Sequence, residues 1–333
     1  MELRKVIIDC DAGTDDAVAL IILIAAHKTK KIKIMAITCV SGNTSVDNVV
    51  INVFRTLEAC DALDIPVFKG TTSPILDVEN AKIAREFKFH GSDGFGDIYK
   101  DIPDISKLKR QHAVSALHEI TSQNPGEVSV LCLAPLMNIA LAIKLFPEFL
   151  ENVKEFYVMG GNTTALGNTT SQAEFNFYSD PESAHILINN NKKKLWLLPW
   201  ETCLKSRIEH EWRQNVLGKI ETPCIQLLND IEEGILSDEK KALSFYSPCD
   251  ALLAAIFLRP DLTTDTVKQH ADIELNGSRT RGQVVIDHLL LHCEEPNVHL
   301  IQDIDTDIFK DVLLFAADPF RYNLSNGYRT AVR

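Results

Sequence analysis

Short apolar runs alternate with longer segments of helical spacing along most of the chain. Residues 6–8, 32–40, 127–133, 155–159 and 195–198 have the length and apolar, β-branched character of buried strands, with a shorter one at 66–69. Helical periodicity follows at about 17 onward, 44–60, 105–122, the APLMNIALAI stretch from Ala134, and 180–188, where Asp180 and Pro181 form a cap followed by a first-turn proline. Farther on, 207–241 reads as helical and charged, 247–258 as a capped apolar helix, 269–275, 282–287 and 298–302 as strands, and 304–317 as a last helix.

This alternation predicts an α/β fold, a doubly wound, mostly parallel central sheet flanked by helices, formed by the whole chain as one domain. The segment 207–241 is expected to be a helical insertion over or beside the site, or an oligomer contact. Ligands of such sheets bind outside the carboxyl ends of the strands. Four of those ends are polar or small (9–16, 41–43, 133–135 and 159–161), and the fold predicts that they share one rim.

The first of these ends carries the densest chemistry. The strand at Val6 runs into DCDAGTDDA, which places Asp9 and Asp11 at a strand end and Asp15 and Asp16 in the first turn of a helix. One acid there is ordinary capping. Four acids so close raise one another's pKa unless a cation or a shared proton intervenes, so a hard divalent ion with oxygen ligands is the economical reading and a structural carboxylate network the other. The run is no EF-hand: the sixth and twelfth positions from Asp9 are Thr14 and Leu20, and from Asp11 they are Asp16 and Ile22, with neither the required Gly nor the Glu. Nor is it a P-loop, because no Gly-Lys-Ser/Thr follows its glycine.

Composition narrows the partners. The 333 residues are 45% hydrophobic, enough for a large core, and 34 basic against 46 acidic residues give a formal charge of −12. That balance argues against nucleic acid or an anionic membrane as the main partner. No apolar stretch reaches the roughly 18 residues that span a bilayer, and the opening MELRKVIIDCDAG has no signal-peptide core. The eight cysteines lack paired or framework spacing, which predicts reduced thiols in a cytoplasmic protein. Two polar loops, 87–97 (FKFHGSDGFGD) and 162–172, read equally as surface loops or as pocket walls, the former carrying His90 and Asp93.

The ordered set of motifs resembles the calcium-dependent nucleoside N-ribohydrolases of inosine-uridine preferring type. DCDAGTDDA is similar to their DxDxGxDDA signature, and SGN at 41–43, LAPLMN at 133–138, VMGG at 158–161, AEFN at 173–176, DPESAH at 180–185 and CDAL at 249–252 follow in the family's order. The resemblance spans about residues 5–320 and implies hydrolysis of the N-glycosidic bond of ribonucleosides to base and ribose. It implies Ca²⁺ held by Asp11, Asp16, the main-chain oxygen of Leu133 and Asp250, with Asp9 supporting the turn or capping the helix. Asp15, Asn43, Glu174 and Asn176 are implied to bind the sugar hydroxyls, and Met159 and Phe175 to line the pocket. Asp11 is then the base that deprotonates a calcium-bound water, against an oxocarbenium-like sugar. A homodimer or homotetramer with small ribonucleosides as partners is expected on the same ground.

One position departs from the pattern. Many members place His before the late aspartate, where it protonates the leaving base, and here that residue is Cys249, a weaker acid at neutral pH. His90, Trp200, Glu201 or a water are the other candidates. Two further readings stand beside the hydrolase. A haloacid-dehalogenase-like, Mg²⁺-dependent phosphatase also uses a strand-end DxD, but Gly13 occupies the place of its usual Thr or Val and it has no use for AEFN and CDAL. A nucleoside-binding protein of the same fold with weak turnover fits the Cys249 departure but leaves the full acidic set unexplained.

Overall fold

A computed structural model describes residues 3–76, 88–236, 245–289, 291 and 295–324. One nine-stranded sheet runs through it. Its strands are β1 (Arg4–Cys10), β2 (Ile32–Cys39), β3 (Val67–Lys69), β4 (Val128–Cys132), β5 (Val153–Met159), β6 (Lys194–Leu198), β7 (Thr263–Ile273), β8 (Val284–Asp287) and β9 (Val298–Ile304). Their spatial order is β3-β2-β1-β4-β5-β6-β9-β7-β8. All pairs from β3 across to β9 are parallel, and β7 is antiparallel to both β9 and β8. The expected doubly wound sheet is therefore present. The winding direction reverses between β1 and β4, so a crevice opens beyond the carboxyl ends of those two strands, where Asp9 pairs with Cys132.

Helices cover both faces. Thr14–Lys28 is apolar on every side and buried from Asp16 through Ala26, because it is enclosed by Cys249–Leu258, Thr306–Ala317 and the sheet. Val46–Ala59 and Pro223–Leu236 lie on the same face. Ala113–Gln123, Met137–Leu145 and Pro181–Asn190 fill the other. Phe257 shows how the first layer locks to the sheet: it is fully buried, meets Tyr157 edge-on at 5.2 Å, and receives the Arg4 guanidinium 3.9 Å above its ring. Phe257→Ala is expected to cost about 3–5 kcal/mol, read as a lower denaturant midpoint at unchanged slope.

Three expected elements differ in extent. The helix expected over 105–122 begins only at Ala113, since Lys109 N–H donates to Val67 O (3.0 Å) and is drawn to the sheet edge, and His112 Nδ1 caps Val114 N–H. β7 starts at Thr263 rather than 269 because its first residues are exposed and polar and pair through backbone alone. The helical stretch 207–241 is broken into His210–Asn215, a 3-10 turn at Leu217–Lys219 and Pro223–Leu236, with Gly218 and Pro223 at the breaks. Its end at 237–241, together with Phe87 and Cys293, lies outside the described residues.

Candidate active site

The acidic turn lies at the crevice between β1 and β4. Ala12 adopts a positive φ of 40°, and Gly13 turns the chain into the helix, whose Asp16 accepts from Gly13 N–H through Oδ2 (2.8 Å). Leu133, the residue after β4, donates its N–H to Asp9 O (2.8 Å), which sets it beside this turn.

The four acids have separate environments. Asp9 Oδ1 accepts from Thr38 Oγ1 (2.6 Å) and Asn138 Nδ2 (2.8 Å), and burial pushes its carboxyl up to about 7. It braces the turn from behind and does not cap the helix. Asp11 is fully buried and accepts from Asn43 twice, N–H to Oδ2 at 2.7 Å and Nδ2 to Oδ1 at 3.0 Å. Any Cβ on Gly42 would stand 1.9 Å from Asp11 Oδ2, which explains the glycine of SGN. Asp15, Asp16 and Asp250 each place an oxygen within 4.8 Å of the others. Burial raises Asp16 and Asp250 well above the ordinary carboxylate range, and the neighbouring Asp11 and Asp15 charges add to it. Among the described residues no Lys or Arg pairs with any of these four site acids, Asp11, Asp15, Asp16 and Asp250.

Asp16 Oδ1 and Asp250 Oδ1 are buried without a hydrogen-bond partner. A buried carboxylate left so is costly unless it is protonated or meets a cation. Clustered carboxylate oxygens are donors suited to a hard divalent ion. The residues present fit a metal.

The other strand ends deliver the remaining groups. Asn176 Nδ2 donates to Leu133 O (3.0 Å) and Met159 O (3.2 Å), so one amide fixes the carbonyls that follow β4 and end β5. Glu174 is buried and accepts from Gly161, Asn176 and Phe177 N–H, while burial lifts its carboxyl to about 7. Phe175 is half-buried and Met159 buried. His90 Nδ1 accepts from Thr14 N–H (3.1 Å), and its Nε2 lies 3.7 Å from Asp15 Oδ1. Cys249 is buried with its thiol turned to Cys203, which with burial raises its pKa further. Glu201 is committed elsewhere, accepting from Thr163 and Thr164 N–H.

Compared with expectation, the geometry joins Asp16 to Asp250 and adds Asp15 to them, with Asp11 alongside through Asn43. Sequence reasoning passed over Asn138, whose amide holds Asp9 while its oxygen accepts from Thr71. An Asn in a helical first turn reads as a cap, so the signal was masked. It also passed over Asn52, a polar residue on the buried face of an amphipathic helix, and that was a visible signal.

The reversal of a parallel sheet at an acidic crevice defines an α/β protein with a candidate metal site at its switch point. Residues 6–311 match the inosine-uridine preferring nucleoside hydrolase family, and the chain belongs to it. It is 32% identical over 288 residues to an inosine-uridine preferring nucleoside hydrolase of Leishmania major, covering 85% of this chain and 88% of that one. The pyrimidine-specific ribonucleoside hydrolase RihB of Escherichia coli (strain SE11) is 30% identical over 320 residues, 93% of this chain and 95% of its own. Among solved structures, an inosine-guanosine nucleoside hydrolase shares the fold with a TM-score of 0.85 at 24% identity, over 96% of this chain and 99% of that one. A purine-preferring ribonucleoside hydrolase from Gardnerella vaginalis does so at 0.82 and 22%, over 94% and 98%. Nothing in these likenesses favours a phosphatase.

Proposed function

We propose that this enzyme hydrolyses the N-glycosidic bond of ribonucleosides to free base and ribose, with Asp11 as general base and calcium as its metal. Asp11, Asp16, Asp250 and the main-chain oxygen of Leu133 would hold the ion, and Asp15 is close enough to Asp16 and Asp250 to join them. The observation that carries this reading is the pair of unpartnered, buried oxygens on Asp16 and Asp250. When bound, the ion would offset the crowded negative charge and make a water more acidic.

The protein's own groups do the rest. Asn43 orients Asp11 by two hydrogen bonds, and burial raises its proton affinity, which suits a carboxylate that must accept a proton near neutral pH. Asn176 spends both N–H groups on Leu133 and Met159, so its Oδ1 is the atom left for a sugar hydroxyl. Glu174 and Asp15 add negative charge around a ribose that becomes cationic in the transition state. Met159 and Phe175 line the pocket.

His90 is placed to hydrogen-bond the leaving base in this reading, and a water supplies the proton that the base takes. With Nδ1 accepting from Thr14 N–H, the neutral ring carries its one proton on Nε2, beside Asp15, as a donor, whereas the Cys249 thiol faces Cys203 and holds its proton tightly. The seven free cysteines among the described residues fit a reducing, cytoplasmic setting, and a homo-oligomer completes the proposal.

Reducing-sugar release from inosine, uridine, adenosine and cytidine tests the reading. Release should stop with a chelator and return with calcium; no release from any of the four in calcium would overturn it. A 2′-deoxynucleoside should be cleaved about 10–100-fold more slowly than its ribonucleoside, since it lacks a hydroxyl that a charged site binds. Equal kcat/KM for the two would remove the ribose hydroxyls from the account.

A further inference from the structure

The buried face of Val46–Ala59 carries Asn52, only 4% exposed, amid Val49, Val53 and Phe54. Its Nδ2 donates to two carbonyls on different segments: Ala12 O at 3.1 Å and Asp93 O at 2.8 Å. An amide nitrogen has two hydrogens, so each carbonyl receives one. Ala12 is the positive-φ residue of the acidic turn, between Asp11 and Gly13. Such a backbone costs free energy and persists only where its surroundings fix it.

Asp93 belongs to the glycine-rich loop over 88–97. That loop is internally braced: Asp97 accepts from Ser92 and Asp93 N–H, Asp93 Oδ1 from Phe95 and Asp97 N–H, and Gly96 N–H donates to His90 O. It therefore behaves as a preformed unit, placed by a few attachments. Asn52 is one, Thr44 Oγ1 donating to Ser92 O (2.8 Å) is another, and the burial of Phe95 is a third. At Gly94 the loop backbone is so close that an added Cβ would meet Asn52 Nδ2 at 2.9 Å and Ala12 O at 3.1 Å. The placement of this unit sets where His90 meets Thr14 and Asp15.

We infer that Asn52 is a positioning residue that couples the acidic turn to the 88–97 loop, so that cation binding at the turn and the placement of His90 are a single event. Thr44 differs from it in kind, because its hydroxyl ties the loop and makes no hydrogen bond to Ala12. The inference rests on the metal reading above and goes beyond it, since Asn52 contacts no ligand atom.

The test uses the full chain and calcium as the probe. In the wild type, calcium should slow amide hydrogen exchange in 88–97 as well as in 10–16. Protection confined to 10–16 would overturn the coupling, and this measurement needs no variant. Asn52→Leu keeps the bulk and deletes both hydrogen bonds; it should weaken calcium affinity by titration calorimetry about 10–100-fold and lower kcat while leaving 88–97 unprotected by calcium. Thr44→Val should loosen the loop yet leave calcium affinity at the wild-type value. If both variants lose affinity in proportion to their loss of thermal stability, Asn52 has a packing role only and the inference fails. A wild type that binds no calcium would instead sink the metal reading itself.

Discussion

Asp11→Ala is expected to lower kcat for nucleoside hydrolysis by about 10²–10⁴-fold, the range for removal of a general base, in a protein that stays folded. The fold should survive because this carboxylate is more burden than support. It is fully buried beside Asp16, and its charge raises the pKa of both Asp16 and Asp250. Deleting it relieves that repulsion, against which stands the loss of two acceptors for Asn43. Those lost bonds cost about 1–3 kcal/mol. Asp11→Asn separates the two effects, since it keeps the shape and one acceptor oxygen while removing the basic group. Both variants should therefore be slow, with Asp11→Asn the better folded by thermal unfolding. A variant that keeps more than a tenth of the wild-type kcat at saturating calcium would mean that the proton goes elsewhere. A fall in calcium affinity with unchanged kcat at saturation would leave Asp11 as a ligand alone.

The strand-turn-helix at the amino end was legible because its chemistry is local: a buried run, four acids and a glycine within a few residues leave few structures open. The late CDAL segment was legible through its motif alone, and only the packing of Cys249–Leu258 against Thr14–Lys28 shows why Asp250 arrives at Asp16. The strand order was not readable, and with it the crevice between β1 and β4, since nothing local in a parallel strand states its neighbour. Pairwise details were hidden for a similar reason. Cys203 and Cys249 are far apart in sequence, and their facing thiols follow from how the turn after β6 packs on the late helix. Asp15 illustrates the limit from the other side: its place beside Asp16 and Asp250 depends on side-chain direction, which adjacent aspartates in sequence leave undecided.

Removing the divalent ion should reverse how stability depends on pH. Asp9 and Glu174 have folded pKa values of about 7 against reference values of 3.8 and 4.5, and burial is the larger cause for each. Between about pH 4 and 7 the folded chain thus holds protons that the unfolded chain has released. Stability then falls as pH rises through that window, because the unfolded state binds fewer protons. Their contribution is fully present below the unfolded values and is lost above about 7. Asp11, Asp16 and Asp250 shift in the same direction and deepen the loss. A cation binds the deprotonated cluster, so its affinity rises over the same window. At a hundred times its dissociation constant it adds about 2.7 kcal/mol to the folded state. Thermal unfolding in chelator should therefore show a midpoint that drops from pH 5 to 8. In excess calcium the drop should flatten or invert, and the gap between the two curves should widen with pH. Parallel curves with a constant gap would mean that the bound ion does not replace protons on these carboxylates, and the crowding at the turn would then need another explanation.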